Sequence, residues 1–247
     1  VDNAGAARRL VEILAIDTEP VAVFLLGPES ALPAKSFKNV TGHRYCQLLM
    51  RARHGESVVL APDELACPAA AAAFGFRPLP EGLATGKGLV GFGIVNEPGT
   101  GRRMFEGMPR LEPGRVTLIA AAPLGTVQAV PDAVVVEGPP EALMWLALAD
   151  LNVAGGERRR GDTAVLQATC VDATIIPYLE QRLNFSLGCY GCREATDLGP
   201  NESVLGFPGG RFEPLLAALE SLANKAVGRS RAKAVFGNLN KKENPHG

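Results

Sequence analysis

Apolar residues at Leu10, Val11, Ile13 and Leu14, beside Arg8, Arg9 and Glu12, give the opening segment a helical stripe, and Asn3 suits its N-cap. The unbroken apolar run 20–26, closed by Gly27-Pro28, predicts a buried strand instead. Residues 44–53 predict a helix ended by Gly55, 57–60 a short strand, and 67–74 an alanine-rich helix with Pro68 in its first turn. From 77 to 113 glycine and proline dominate, and the reading is long loops with one short helix near 102–106. The short apolar runs 116–122 and 133–136 are strand-like. Residues 140–152 read as a helix that begins on proline and carries Trp145 in a leucine stripe, followed by an exposed loop over 155–161. A helix interrupted at Pro177 is expected over 169–179, strands near 183–187 and 204–207, and a closing helix over 214–226. Helices and strands alternate only loosely. The predicted fold class is therefore α/β or α+β, a single domain over 1–224 with a mixed β-sheet flanked by helices.

After Asn224 the pattern changes. Lys225, Arg229, Arg231, Lys233, Lys241 and Lys242 face a single acid, Glu243, so 225–247 reads as a basic C-terminal tail that the fold can do without. Val235 and Phe236 are its candidates for anchoring on the body or on a second subunit, and a homo-oligomer is the assembly they would allow.

Composition narrows the function classes. A chain of 247 residues, 47% hydrophobic and 21% charged, can bury a large core without a disulfide scaffold, and five cysteines are too few for one. A formal net charge of −1 and 6% aromatics argue against nucleic acid as a partner. Arg8, Arg9 and Glu12 break the first apolar run, so a signal peptide is not expected. The richest stretch, 116–136, is cut by Pro123, Gln128, Pro131 and Asp132, so no membrane span is expected. The expectation is a cytoplasmic protein.

The cysteines carry the candidate chemistry. Cys189 and Cys192 form a C-x-x-C in Gly188-Cys189-Tyr190-Gly191-Cys192-Arg193, which places two sulfurs within reach of one metal or of each other. A redox dithiol wants such a motif at a helix N-terminus. The flanking glycines read instead as a tight turn with N–H groups aimed at sulfur, which favours metal. A c-type haem would need His where Arg193 stands. Cys46 and Cys67 complete a four-thiolate set, and Pro68 follows Cys67 as proline follows a ligand cysteine in bacterial ferredoxins. Cys170, among Ala168, Val171 and Ala173, looks like a core cysteine. Arg193 is the candidate for offsetting cluster charge or holding an anionic ligand. His43 has a weaker claim as a donor near Cys46, beside the plainer reading of a surface histidine. The stretch Gly82 to Gly88 is one residue short of a phosphate loop and reads as flexible.

These segments resemble a known family. Pro20-Val21-Ala22-Val23, Cys46-Gln47 with Ala52-Arg53-His54-Gly55, Cys67-Pro68 running to Phe74-Gly75-Phe76, and Asn184 through Arg193 are similar to the uncharacterised archaeal-conserved-region family, domain of unknown function 169. So are Pro131 through Val136, the Cys170 segment, and Glu202 leading to Gly206-Phe207-Pro208. The resemblance implies a single-domain soluble protein and supplies no activity. It also implies that the second cysteine of the motif is the less regular one, which makes Cys170 the substitute for Cys192. The residues lead to the expectation of a cysteine-ligated metal protein with an iron–sulfur cluster, [4Fe–4S] in type, on Cys46, Cys67, Cys189 and Cys192. Its work would be electron transfer or redox chemistry, with a small molecule or a redox protein as partner. The alternative is a non-metal small-molecule-binding protein or a thiol enzyme using Cys189.

Overall fold

The computed structural model describes residues 3–33, 36–233 and 235–237; Lys241, Lys242 and Glu243 of the basic tail lie outside them. The chain lays down α1 (Asn3–Leu14), β1 (Val21–Leu26), β2 (Lys38–Val40), α2 (Tyr45–Arg53) and β3 (Val58–Leu60). Short helices follow: α3 (Pro68–Ala73), α4 (Glu81–Ala84), α5 (Lys87–Gly91) and α6 (Pro98–Glu106). Next come β4 (Leu118–Pro123), β5 (Ala133–Gly138), α7 (Pro140–Ala154), and a π-helix (Ala168–Ile175) running into α8 (Ile176–Glu180). The body is completed by β6 (Asn184–Ser186), α9 (Tyr190–Ala195), β7 (Ser203–Pro208) and α10 (Phe212–Leu222), which continues through a π-helical turn (Ala223–Val227) into α11 (Gly228–Arg231).

The strands form one sheet in the order β2-β3-β4-β1-β5-β7-β6. Only β2 and β3 pair in parallel; every other neighbour is antiparallel, so the sheet is mixed and the fold is α+β. β1 lies at its centre and is buried along its whole length, as its unbroken apolar run predicts. Its pleat feeds two cores. Val21, Val23 and Leu25 face one, with α2, α3 and the π-helix; Ala22, Phe24 and Leu26 face the other, with α1, α7 and α10. All five cysteines belong to the first face.

Two contacts pin α2 there. At its start the buried Tyr45 hydroxyl meets Thr174 Oγ1 at 2.7 Å. At its end the buried Arg53 guanidinium pairs with Glu137 of β5 and reaches Glu202 at 3.5 Å. Burial by itself would lower the Arg53 pKa, but Glu137, Asp197 and Glu202 outweigh it and raise it. The π-helix lies against β7 so closely that a Cβ on Gly206 would stand 1.9 Å from the Ala173 carbonyl oxygen. Only glycine permits that approach.

The region 77–113 departs from its loop reading. Glycine and proline there are caps and contacts rather than breakers: Pro98 occupies the first turn of α6, and Gly86, at φ 78°, packs against the Pro98 carbonyl. Nor does Pro177 interrupt a helix. It falls in the first turn of α8, where the π-helix has just ended. Among the described residues no helix is long and apolar enough to cross a membrane.

The boundary at Asn224 also differs. Residues 225–231 are helical and docked: Val227 is 4% exposed, and Arg231 donates to the Ile13 and Leu14 carbonyls at 2.9 and 3.0 Å and pairs with Glu141. Those carbonyls end α1 and have no partner within their helix. Val235 and Phe236, the expected anchors, are exposed instead. Truncation after Asn224 should therefore lower the melting temperature by about 4–8 °C, while truncation after Lys233 should leave it unchanged. Gly206→Ala should cost about 1–3 kcal/mol in urea denaturation through overpacking against the π-helix.

Candidate functional site

A cavity of about 310 Å³ opens on the first face of the sheet, and all five cysteines line it. They arrive on four segments. Cys46 comes from the first turn of α2, Cys67 is the N-cap of α3 with Pro68 in the first turn behind it, Cys170 lies on the π-helix, and Cys189 and Cys192 come with α9. All are free thiols; Cys67 is partly exposed and the other four are buried. Cys46 and Cys67 thus share one lining with the C-x-x-C. Cys170, read as a core residue, lines the same space.

The C-x-x-C does not sit in a turn. Cys189 is the N-cap of α9, and its sulfur accepts the Cys192 N–H at 3.3 Å. At a helix N-terminus the motif has the placement that a redox dithiol uses. The two sulfurs stand 2.8 Å apart. Further N–H groups point at them from the start of the π-helix, Ala168 toward Cys189 and Thr169 toward Cys192. The Cys46 sulfur stands 4.0 Å from the carbonyl of Gly191, between the two cysteines of the motif.

The site's electrostatics favour the neutral thiol at Cys170, Cys189 and Cys192. Contact with Cys192 and then burial raise the Cys189 pKa, and burial raises that of Cys170 well above its usual value. The Cys189 contact would lower Cys192, but Cys46 and burial push it up to about 11. Among the described residues no group of three or more His, Cys, Asp or Glu stands in metal-ligating geometry. The donor chemistry is soft: sulfur dominates, without imidazole, and the one carboxylate in the lining, Glu194, is paired with Arg44 at 2.8 Å.

Arg193 does not line the cavity. Its guanidinium donates to the carbonyls of Leu187, Gly199 and Glu202 and ties the loop after α9 to the strand before it. His43 also stays outside, with Nδ1 at the Thr41 carbonyl and Nε2 beside Arg51. Around Cys46 the polar side chains of Arg44 and Gln47 are likewise spent on contacts within the protein. Arg44 reaches Glu194 and the Gly191 carbonyl, and Gln47 donates to the Ala195 carbonyl at 3.2 Å. Together they fasten α2 to α9. The sequence carried a signal for them, since both lie within two residues of Cys46.

A second cavity, of about 440 Å³, lies on the other side of the π-helix and shares Gln167 with the first. Its lining includes Asp172, a buried carboxyl that accepts from Thr163 Oγ1 at 2.6 Å. Burial raises its pKa to about 6 despite bonds from Thr163 and Ser186. The folded state thus favours the proton. This group's contribution to stability is full below about pH 3.9 and is lost as pH rises through about 6. Compared with Asp172→Asn, the wild type should lose about 2–3 kcal/mol of unfolding free energy between about pH 4 and about pH 7, measured by denaturant titration.

The profile of a family described as uncharacterised ArCR, domain of unknown function 169, matches residues 9–218. The chain is also 30% identical over 216 residues to uncharacterized protein MJ0308 of Methanocaldococcus jannaschii, covering 87% of this chain and 92% of that protein. No solved structure matches it.

Proposed function

The chain belongs to the uncharacterised ArCR family, and from its site we propose that it is a cysteine-ligated metal protein carrying an iron–sulfur cluster. The cluster would be of the [4Fe–4S] type on Cys46, Cys67, Cys189 and Cys192, serving electron transfer or redox chemistry on a small molecule. The observation that carries this reading is the meeting of five thiols from four distant segments around one cavity. Isolated buried cysteines are common as small core residues; five sharing one space are not what packing alone asks for. Four thiolates satisfy a cubane without histidine, and backbone N–H groups near ligand sulfur offset its charge and tune its potential. Ala168, Thr169 and Cys192 supply such groups here.

The raised thiol pKa values bear on this reading. A ligand cysteine must lose its proton, so loading releases protons and improves as pH rises. It also requires Cys189 and Cys192 to part, because two thiolates at 2.8 Å would repel.

A second reading draws on the same contact. Cys189 at the start of a helix, with Cys192 against it, has the arrangement of a redox dithiol. Its weakness is acidity. A reactive thiol needs a depressed pKa, and both are raised.

Anaerobic reconstitution of the full chain with ferrous iron and sulfide separates the two. We expect the broad visible absorbance of a cubane, most of the iron lost in Cys189→Ser, and most of it kept in Cys170→Ser. Equal iron in the two variants would overturn the ligand assignment. Failure of the wild type to take up iron, together with a reversible Cys189–Cys192 disulfide, would favour the dithiol.

A further inference from the structure

The thiols account for one side of the cavity. The same lining includes Leu83, Leu89, Phe92, Ile94 and Phe105, from α4 to α6 and the segments between them. Two of the lining rings are not packed away: Phe92 is 68% exposed and Tyr190 is 54% exposed. The only side chains of the lining that carry charge at neutral pH, Arg44 and Glu194, are spent on each other at 2.8 Å. Gln167 also lines the space, and its side-chain amide has no hydrogen-bond partner among the described residues.

These features describe a ligand chamber with a definite preference. Enclosed small-molecule sites are mostly apolar with a few polar groups that set orientation, and about 300 Å³ is the small end of their range. Carbon walls favour an apolar body, and thiols and aromatic rings both make favourable contacts with a flat ring system. An anion entering this space would lose water and meet no free cation, since Arg44 is already paired. The free amide of Gln167 can satisfy one neutral carbonyl or hydroxyl group.

We propose that the cavity binds a neutral compound of one or two rings, bearing at most a single carbonyl or hydroxyl group. The rings lie between Phe92 and Tyr190, and the polar group faces Gln167. Phosphorylated and carboxylated metabolites are excluded. That such a compound is what the proposed metal centre acts on rests on the reading above; its binding does not.

Calorimetric titration of the full chain with 2-naphthol and with 2-naphthoate tests this, because the two share a ring system and differ in charge. We expect 2-naphthol to bind at a single site and 2-naphthoate to bind at least about tenfold more weakly. The double variant Phe92→Ala/Tyr190→Ala should weaken 2-naphthol about tenfold without moving the melting temperature, since both rings are exposed. Equal affinity for the two compounds, no binding of 2-naphthol, or unchanged affinity in the double variant would overturn the proposal. Iron uptake measured on the same samples keeps the two ideas apart. A protein that takes iron and not 2-naphthol defeats the ligand proposal alone, and one that binds 2-naphthol without taking iron sustains it and defeats the metal reading.

Discussion

The cysteine face depends on how closely one helix can approach the sheet. At Gly206 the backbone of β7 leaves no room for a side chain, and the Ala173 carbonyl of the π-helix occupies that space. From this seat the rest of the site is positioned in turn. The π-helix carries Cys170 to the cavity and presents Ala168 and Thr169 to the C-x-x-C sulfurs. Its Thr174 receives Tyr45 and so sets the start of α2, one residue before Cys46. Arg44 and Gln47 then bind α2 to α9. A glycine outside the cavity lining thus governs where the sulfurs meet.

Charge is kept out of that space. The charged side chains near it are paired, Arg53 with Glu137, Glu202 and Asp197 behind α2 and Arg44 with Glu194 at the cavity. The exposed pair contributes little to stability and is better regarded as a fastening between helices. Inside, burial favours protonated thiols. The cavity is therefore neutral and soft as it stands, open to an uncharged guest and able to take a cation only by giving up protons.

Much of this was legible in residue type and little of it in position. The central strand was plain because 20–26 is an unbroken apolar run, which only a strand buried on both faces requires. Three of the four ligand candidates were legible because a C-x-x-C and a Cys-Pro are chemically distinctive, whereas Cys46 stands in no motif of its own. β2 was not, since its three residues are mostly exposed and polar. The wall formed by α4 to α6 was hidden for a different reason. Gly86, Pro98 and Gly101 look like breakers, yet Pro98 starts a helix while Gly86 and Gly101 pack against each other. Leu83, Leu89 and Phe105 then resemble ordinary core, and only their place in the lining of the thiol cavity gives them a role. The start of α9 was read as a turn because Gly188 and Gly191 outweighed the capping capacity of Cys189. The docking of Arg231 on α1 joins residues more than two hundred positions apart, which no local pattern signals.

An iron–sulfur cluster in the five-thiol cavity is our proposal. Iron and acid-labile sulfide, determined on protein purified without exposure to oxygen, test it most directly. The account predicts about four of each per chain, as a [4Fe–4S] cubane requires. Protein that contains neither, and acquires neither on anaerobic reconstitution, would contradict it.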